Sequence, residues 1–415
     1  MTAEKTMQTD RKAARHLIAV PDYQPRISLY ISQFIFLLGF FAKQFYIGDS
    51  GTVQAGDLLM MAGCGCYFLL TKKWRIDFDR HNRWFYLFFF GVFVVNTVYL
   101  YLTANKEFIT ATFFYLFNLI IIIIFTDMLK EPNRDVFLKW FGWTLKLALL
   151  FQGFVYLAGF GREDARYLGT FNDPNQFGVY IFFAMLMIFI TDRMLGRKLW
   201  FVWDVIGTLV ILPSASTGTM LGVALFWVGM YFYFFREMSK IWKIVFGGIT
   251  FIIVIAILVF GLGAIELPKA VTSHFMYQRI NEKFDEVWGK FDNLVSDRAW
   301  DRIVDYPQYF LYGSGEGFNK RFDATDLELH SSILAPAFSY GIVPFACLVY
   351  WALKKVLKSR FLFIYVALFS EAMFVVNTRQ PMYWILILMA FVTPRLSRRE
   401  REEQEAEEAD GGTYG

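Results

Sequence analysis

Charged residues are scarce in this chain: Asp, Glu, Lys and Arg make up 19% of the 415 residues, whereas hydrophobic residues make up 56%. A soluble domain of this length needs more polar surface than that, so the composition excludes an ordinary globular protein. The charges cluster between apolar runs of about 15–25 residues, the length with which a helix crosses a bilayer. Because these runs are continuous rather than alternating, they predict helices and not a barrel.

Cysteine and histidine are also rare, with three and four residues respectively. The spacing of Cys64 and Cys66 occurs in metal sites, but no second pair completes it, so we interpret both as small residues that pack between helices. Asp323 and Asp326 are a weak metal candidate, and we predict neither a metal nor a cofactor. The net charge of +4 follows from membrane topology and does not indicate nucleic-acid binding.

The apolar runs predict an all-α, polytopic membrane protein with about twelve transmembrane helices. The predicted spans are 28–46, 56–71, 84–102, 108–128, 136–160, 177–195, 199–212, 218–235, 241–264, 332–353, 361–377 and 382–394.

The distribution of basic residues predicts which side each loop faces. Both tails and the even-numbered loops are rich in Lys and Arg, whereas the first, third and seventh loops hold almost none. By the positive-inside rule, both termini are therefore expected in the cytoplasm of a bacterial inner-membrane protein. The predicted layout is a cytoplasmic tail (1–27), nine spans (28–264), one long extracytoplasmic loop (265–331), three spans (332–394) and a disordered cytoplasmic tail (395–415).

Arginines occur in short loops that are predicted to face outward, where the rule disfavours them. Arg162 and Arg166 lie in the loop 161–176, and Arg379 lies between the last two spans. In the first of these loops, Asn172 or Asp173 is placed to cap the helix that begins near Pro174. A helix N-terminus beside arginines is also typical of an anion site, and Asn175 would lie within it.

The loop 213–219 is rich in hydroxyl groups. Ser214, Ser216 or Thr217 is placed to cap the next helix, or to donate hydrogen bonds to a substrate headgroup. In the long loop, residues 275–305 have apolar side chains at helical spacing and predict an amphipathic surface helix. The glycines at 313, 315 and 317 form only a weak phosphate-loop pattern, since no strand precedes them.

His330 is the strongest candidate for proton transfer. It is predicted at the mouth of a span, on the same side of the membrane as Arg298, Arg302 and Arg379, and imidazole titrates near neutral pH. His274 is also predicted on the outer side of the membrane, but it lies at the start of the presumed amphipathic segment and therefore nearer the protein surface. The alternative is that His330 merely anchors its helix.

Lys146 and Glu371 are predicted deep within spans, where charged groups are energetically unfavourable and are usually paired or functional. A mutual ion pair is one interpretation. A proton relay, as in a transporter, is the other.

These motifs together resemble the O-antigen ligase and O-antigen polymerase superfamily, the lipid-linked oligosaccharide transferases of the bacterial envelope. The resemblance lies in the order and the loop placement of the motifs, which cover about a quarter of the chain. The chain departs from the family where Thr217 replaces a common arginine and where Ser331 replaces a common asparagine after the histidine. The motifs are the segments 166–176, 214–218, Arg298 with Trp300, 312–317, and His330-Ser331 followed by a span containing Gly341.

The resemblance implies an undecaprenyl-diphosphate-linked glycan donor and glycosyl transfer with inversion, without a cofactor or a metal. It implies His330 as the base and Arg298 as a ligand of the leaving diphosphate. It implies membrane lipids as surroundings and a chain-length regulator as a further partner. The other residues that we predict to bind substrate are Arg162, Arg166, Asn175, Ser216, Thr217, Arg302, Glu316 and Arg379.

Three functions remain open from the sequence. A polymerase would extend an O-antigen-like or capsular glycan, and the short outer loops favour it. A ligase would transfer glycan to lipid A–core by the same chemistry. A polysaccharide transporter or flippase would instead need broken helices and a charged path at mid-membrane. Only Lys146 and Glu371 support this function.

Overall fold

A computed structural model describes residues 27–46, 53–71, 79–163, 166–241 and 295–393 except 323–325, with scattered positions between 243 and 289. The protein is mostly helical, as predicted. The described α-helices are α1 (Ile27–Ala42), α2 (Ala55–Leu70), α3 (Arg83–Thr103), α4 (Glu107–Lys130), α5 (Arg134–Leu157), α6 (Pro174–Met194), α7 (Trp200–Ile211), α8 (Thr217–Glu237), α9 (Arg302–Asp305), α10 (Tyr309–Tyr312), α11 (Leu334–Tyr340), α12 (Ile342–Val356), α13 (Leu362–Ala372) and α14 (Pro381–Leu388).

Two short strands, β1 (Arg162–Glu163) and β2 (Arg166–Tyr167), pair antiparallel between α5 and α6. Single-turn 3₁₀ helices lie at Arg80–Asn82, Leu212–Ser214, Asn319–Arg321 and Met389–Val392. Within 302–331, apart from 323–325, the described chain holds two four-residue α-helices, one 3₁₀ turn and irregular segments.

Four helical segments in the described part of the chain are long and apolar enough to cross a membrane: Arg80–Thr103, Glu107–Lys130, Pro174–Met194 and Thr217–Phe235. Each coincides with a predicted span, and together they indicate a membrane protein. The most apolar 18-residue window of α6 is 89% buried and that of α3 is only 22% buried, so α6 lies at the centre of the bundle and α3 at its periphery. The number of about twelve spans stays a prediction.

Three predicted spans differ from the observed helices. The span 332–353 is divided at Gly341, where φ is +78° and the backbone lies against Leu311 and Gly313. A side chain is disfavoured in that conformation, and the contact leaves no room for one. The span 361–377 stops being helical after Ala372, and 382–394 is an eight-residue α-helix followed by a 3₁₀ turn. Most of the ninth span, His274 and most of 280–294 lie outside the described residues.

Close approach of α1 and α2 explains several small residues near the start of the chain. A Cβ atom at Gly39 would lie 2.5 Å from the backbone nitrogen of Met60, and one at Gly63 would lie 2.5 Å from that of Phe36. Cys64 is buried in the same contact region. This geometry supports the interpretation of Cys64 as a helix-packing residue.

The predicted pairing of Lys146 with Glu371 is wrong. Lys146 Nζ instead donates to both carboxylate oxygens of Asp192, at 2.7 and 2.6 Å, and Arg197 donates to the same carboxylate at 3.0 Å. Glu371 accepts a 2.7 Å hydrogen bond from Asn377. Both residues were predicted deep within apolar segments, and nothing in the sequence indicated that each of them is bonded to a different residue.

Candidate functional site

A cavity of about 570 Å³ lies where the N-termini of α6 and α8 meet the segments 297–298, 328–330 and 374–382. Its lining includes five cationic side chains but only three carboxylates. The cations are Lys43, Arg166, Arg279, Arg298 and Arg379, and the carboxylates are Asp173, Asp297 and Glu328. Lys43 and Arg379 are paired with carboxylates, whereas the hydrogen bonds of Arg166 are to neutral groups, so Arg166 is suited to bind an anion in the cavity.

Part of the cavity lining is apolar. Phe114, Phe171, Val179, Phe183 and Phe374 contribute to it, and α6, which carries two of them, is the central helix of the bundle. The same cavity thus offers a charged part and a hydrocarbon-like part. An amphiphile with an anionic headgroup matches both.

The N-terminus of α6 is capped as the sequence predicted. The Asp173 carboxylate accepts hydrogen bonds from the backbone N–H groups of Asn175, at 2.7 Å, and Gln176, at 3.1 Å, and Pro174 occupies the first turn. This cap fixes the position of Asn175, whose side-chain oxygen accepts a 3.0 Å hydrogen bond from Arg166. The local turn chemistry therefore also positions an arginine of the cavity.

Arg166 connects two of the motifs. Its Nε donates to the carbonyl oxygen of Ser214 at 2.9 Å while its Nη2 donates to Asn175. Burial lowers the pKa of Arg166, and Asp173 opposes that shift, but a guanidinium remains protonated at any physiological pH. The two bonds use two of its five N–H donors, which leaves others to bind a ligand in the cavity.

The start of α8 lies at the cavity through Ser216, Thr217 and Gly218. Ser216 occupies the N-cap position, but its hydroxyl group lies 3.0 Å from that of Thr219 rather than bonding to a backbone N–H. The chain reaches this position through Ala215, which has a φ of +48°. The N–H groups of a first helical turn point out of the helix end, so α8 directs partial positive charge toward the cavity.

Arg298 and His330 are neighbours on the cavity wall. The backbone N–H of His330 donates to the carbonyl oxygen of Arg298 at 3.0 Å, and Trp300 Nε1 donates to the carbonyl oxygen of His330 at 3.2 Å. Arg298 also donates from Nη1 to the carbonyl oxygen of Phe374, with its guanidinium 5.3 Å from the centre of that ring. The two chain segments that carry this cation and this imidazole are thus joined through their backbones.

The tautomer of His330 follows from its hydrogen bond. Nδ1 lies 2.6 Å from the backbone carbonyl oxygen of Glu328. A carbonyl oxygen only accepts, so Nδ1 carries the proton and, in the neutral ring, Nε2 carries the lone pair. The ring lines the cavity, and a neutral imidazole with a fixed tautomer is suited to accept a proton.

Arg379 lines the cavity but is bound by two carboxylates. Nε donates to Glu316 at 2.9 Å, and Nη2 and Nη1 donate to the two oxygens of Glu328 at 2.6 and 3.3 Å. Burial lowers the pKa of Arg379, but the two carboxylates outweigh it and raise the pKa above its usual value. Burial raises the pKa of Glu328, and Glu316 raises it further, while Arg379 opposes both.

Seven predicted site residues line this cavity: His330, Arg298, Arg166, Asn175, Ser216, Thr217 and Arg379. Arg162, Arg302 and Glu316 do not. The exposed Arg162 lies over the ring of Tyr156, the buried Arg302 lies over that of Phe322, and Glu316 is enclosed beneath Arg379.

The structure adds a cavity residue that the sequence analysis did not select. Lys43 lines the cavity and forms a buried ion pair with Asp57, with 2.6 Å between Nζ and Oδ1. Its position within the first apolar run was a usable signal, because a charge inside a predicted span is rarely accidental. Its carboxylate partner in the next helix was not apparent from the sequence.

The glycine-rich segment is explained by packing. Gly313, Gly315 and Gly317 all have positive φ, and a Cβ atom on Gly315 would lie 2.7 Å from the ring of Phe108. The backbone N–H of Gly315 donates to the carbonyl oxygen of Ser339 at 2.8 Å. These glycines bring the loop against α4 and α11, and they place Glu316 beneath the cavity.

No protein-family model and no curated protein matches the chain. Within the part of the chain that the structure describes, no group of three or more His, Cys, Asp or Glu side chains is arranged to hold a metal ion. The distance between Oδ2 of Asp326 and Nζ of Lys320 is 4.0 Å, and Asp323 lies outside the described residues. The functional inference therefore depends on the cavity and on the motif resemblance.

Proposed function

We propose that the chain is a membrane glycosyltransferase that uses an undecaprenyl-diphosphate-linked glycan as donor, in the manner of the O-antigen polymerases and ligases. The observation that carries this proposal is that Arg166, Arg298 and His330 line one cavity together with apolar side chains. We place the cavity on the outer face of a bacterial inner membrane, with both termini in the cytoplasm, on the basic-loop pattern.

The headgroup of such a donor fits the charged part of the cavity. A diphosphate would be bound by Arg166 and Arg298, since a guanidinium binds phosphate oxygens through parallel hydrogen bonds. The first turn of α8 would add backbone N–H donors, a common arrangement at phosphate sites. In this arrangement Arg166 binds the diphosphate in place of the arginine that is common in the family and that Thr217 replaces here.

The reaction is a displacement at the anomeric carbon of the donor sugar. The acceptor hydroxyl oxygen forms a bond to that carbon while the bond from the carbon to the diphosphate oxygen breaks, which inverts the configuration. The hydroxyl proton passes to Nε2 of His330. The negative charge that develops on the diphosphate is stabilised by the two arginines.

We favour polymerisation over ligation, because the outer loops other than 265–331 are short and because Thr217 replaces an arginine that is common in the family. The transporter alternative is weakened by the separate partners of Lys146 and Glu371. Because the two residues have different partners, they are not paired with each other in a charged path.

Deletion of the gene, followed by gel analysis of the surface glycan, tests the proposal. A polymerase predicts loss of the length ladder with a single repeat retained, whereas a ligase predicts lipid-linked polymer and bare acceptor. Undiminished surface glycan of normal length, in a strain without a second copy of the gene, would contradict both.

A direct assay complements the genetic one. The purified protein in nanodiscs is mixed with undecaprenyl-diphosphate-linked repeat units, and the release of undecaprenyl diphosphate is followed by chromatography. Arg298→Ala is expected to lower the rate about 100-fold or more. Tyr67→Phe is a suitable control, because Tyr67 does not line the cavity and bonds to Glu131.

A further inference from the structure

Arg379 differs from Arg166, another arginine of the cavity, in the groups that its guanidinium binds. Three of its N–H groups, one on each nitrogen, are directed at carboxylate oxygens of Glu316 and Glu328. Arg166, in contrast, donates to a carbonyl oxygen and an amide oxygen, both neutral. Arg166 therefore keeps its full charge for a ligand, whereas the charge of Arg379 is more than balanced.

Glu316 is itself held rigidly. Oε2 accepts hydrogen bonds from Tyr115, at 3.0 Å, and Tyr340, at 2.7 Å, while Oε1 accepts from Arg379. The carboxylate is buried, and the backbone N–H of the same residue donates to Asn96 at 3.0 Å. Two tyrosines thus hold the carboxylate and Asn96 holds the backbone of the same residue, so Glu316 in turn fixes the orientation of the Arg379 guanidinium.

The same guanidinium fixes Glu328. The two N–H groups at its outer edge bind both carboxylate oxygens of Glu328, a geometry that restrains rotation as well as distance. The backbone carbonyl of Glu328 is the acceptor for Nδ1 of His330. A continuous set of hydrogen bonds therefore runs from Tyr115 and Tyr340 to the imidazole.

We propose that Arg379 is a positioning residue for His330 rather than a ligand of the donor diphosphate. Arg379 holds Glu328, and the Glu328 backbone holds the imidazole with Nδ1 protonated and Nε2 free. This inference rests on the proposed function, because it assigns the means by which the proposed base is oriented. It also separates Arg166 and Arg298, which we propose to bind the diphosphate, from Arg379, which does not bind it.

The two roles predict different effects of the same substitution. Arg379→Lys keeps one positive charge but cannot donate to both carboxylates in the planar geometry. If Arg379 positions His330, the turnover number falls about 10-fold or more, while the affinity for undecaprenyl diphosphate stays within about twofold of the unsubstituted value. If Arg379 binds the diphosphate, the affinity falls together with the rate.

The experiment measures undecaprenyl diphosphate binding and glycosyl transfer on the full-length protein in nanodiscs. The variants are Arg379→Lys, Glu316→Gln and Arg298→Ala, with Tyr67→Phe as a matched loss of a buried hydrogen bond to a glutamate outside the cavity lining. We expect Arg379→Lys and Glu316→Gln to bind normally and transfer slowly, Arg298→Ala to lose binding, and Tyr67→Phe to match the unsubstituted protein.

Two outcomes overturn the inference: weaker binding in Arg379→Lys comparable to that of Arg298→Ala, or normal transfer by both Arg379→Lys and Glu316→Gln. If Arg379→Lys does not fold, Glu316→Gln gives the same information, since Glu316 reaches the cavity only through Arg379. Failure of the unsubstituted protein to bind undecaprenyl diphosphate would contradict the proposed function itself, which is a separate result.

Discussion

Replacing His330 with asparagine separates the two roles that this residue could have. The imidazole Nδ1 anchors the loop by donating to the carbonyl oxygen of Glu328 at 2.6 Å, and Nε2 is the proposed proton acceptor. An asparagine amide nitrogen lies near the position of Nδ1 and can keep the anchoring hydrogen bond. It has no basic nitrogen, so His330→Asn removes proton transfer and leaves the anchor.

The expected magnitude follows from the chemistry assigned to Nε2. A positioned general base typically accelerates a reaction about 100- to 10,000-fold. His330→Asn should therefore lower the rate of transfer by that factor, or raise the barrier by about 3 to 5 kcal/mol. Binding of undecaprenyl diphosphate should change little, because Arg166 and Arg298 are untouched.

His81 provides a matched control. Its Nδ1 lies 2.7 Å from the carboxylate of Asp79, also two residues earlier in the chain, and its ring does not line the cavity. His81→Asn should transfer glycan at the normal rate. The assay is the release of undecaprenyl diphosphate by each variant, with reconstituted protein quantified by blot. Normal transfer by His330→Asn would refute the proton-transfer role and leave His330 as an anchor, with Glu328 as the next candidate for the base.

Three further predictions concern the anion site, the buried ion pair and the topology. Arg166→Ala and Arg298→Ala should each lower transfer about 100-fold or more without loss of membrane insertion, and Arg298→Lys should recover only part of the rate; normal glycan in both alanine variants would contradict the diphosphate assignment. Lys146→Ala should destabilise the protein by about 1.5 to 3 kcal/mol, because Asp192 loses its hydrogen bonds from Lys146 but keeps the one from Arg197, and an unchanged melting temperature in detergent would count against this. A reporter that is active only outside the cytoplasm should stay silent when fused after Gly415; activity there would reverse the topology.

Local features of the fold were predictable from the sequence. The cap of α6 was expected at Asn172 or Asp173, because an acceptor side chain followed by Pro174 is a complete start signal within a few residues. The structure selects Asp173. The four long apolar helices were likewise predicted, since hydropathy over about twenty residues is a strong signal that needs no knowledge of neighbours.

Features that depend on contacts between distant segments were not predictable. The helix is interrupted at Gly341 because the backbone of Leu311 and Gly313 lies against that glycine. An isolated glycine in an apolar run does not indicate such a contact. Lys146 was paired with the wrong carboxylate for the same reason. The set of cavity residues was predicted more fully than their roles, because sequence motifs mark which loops converge but not which side chains neutralise one another.

Arg166 has one further consequence for how this site can vary. Its two hydrogen bonds connect the segment that carries Arg166 to Asn175 at the start of α6 and to Ser214 before α8. A single guanidinium therefore holds the two loops together. Asn175 accepts through its side chain, whereas Ser214 accepts through its backbone. Substitutions at Arg166 and Asn175 should therefore be strongly epistatic, the second change adding little to the first, while a change of the Ser214 side chain should act almost independently of both.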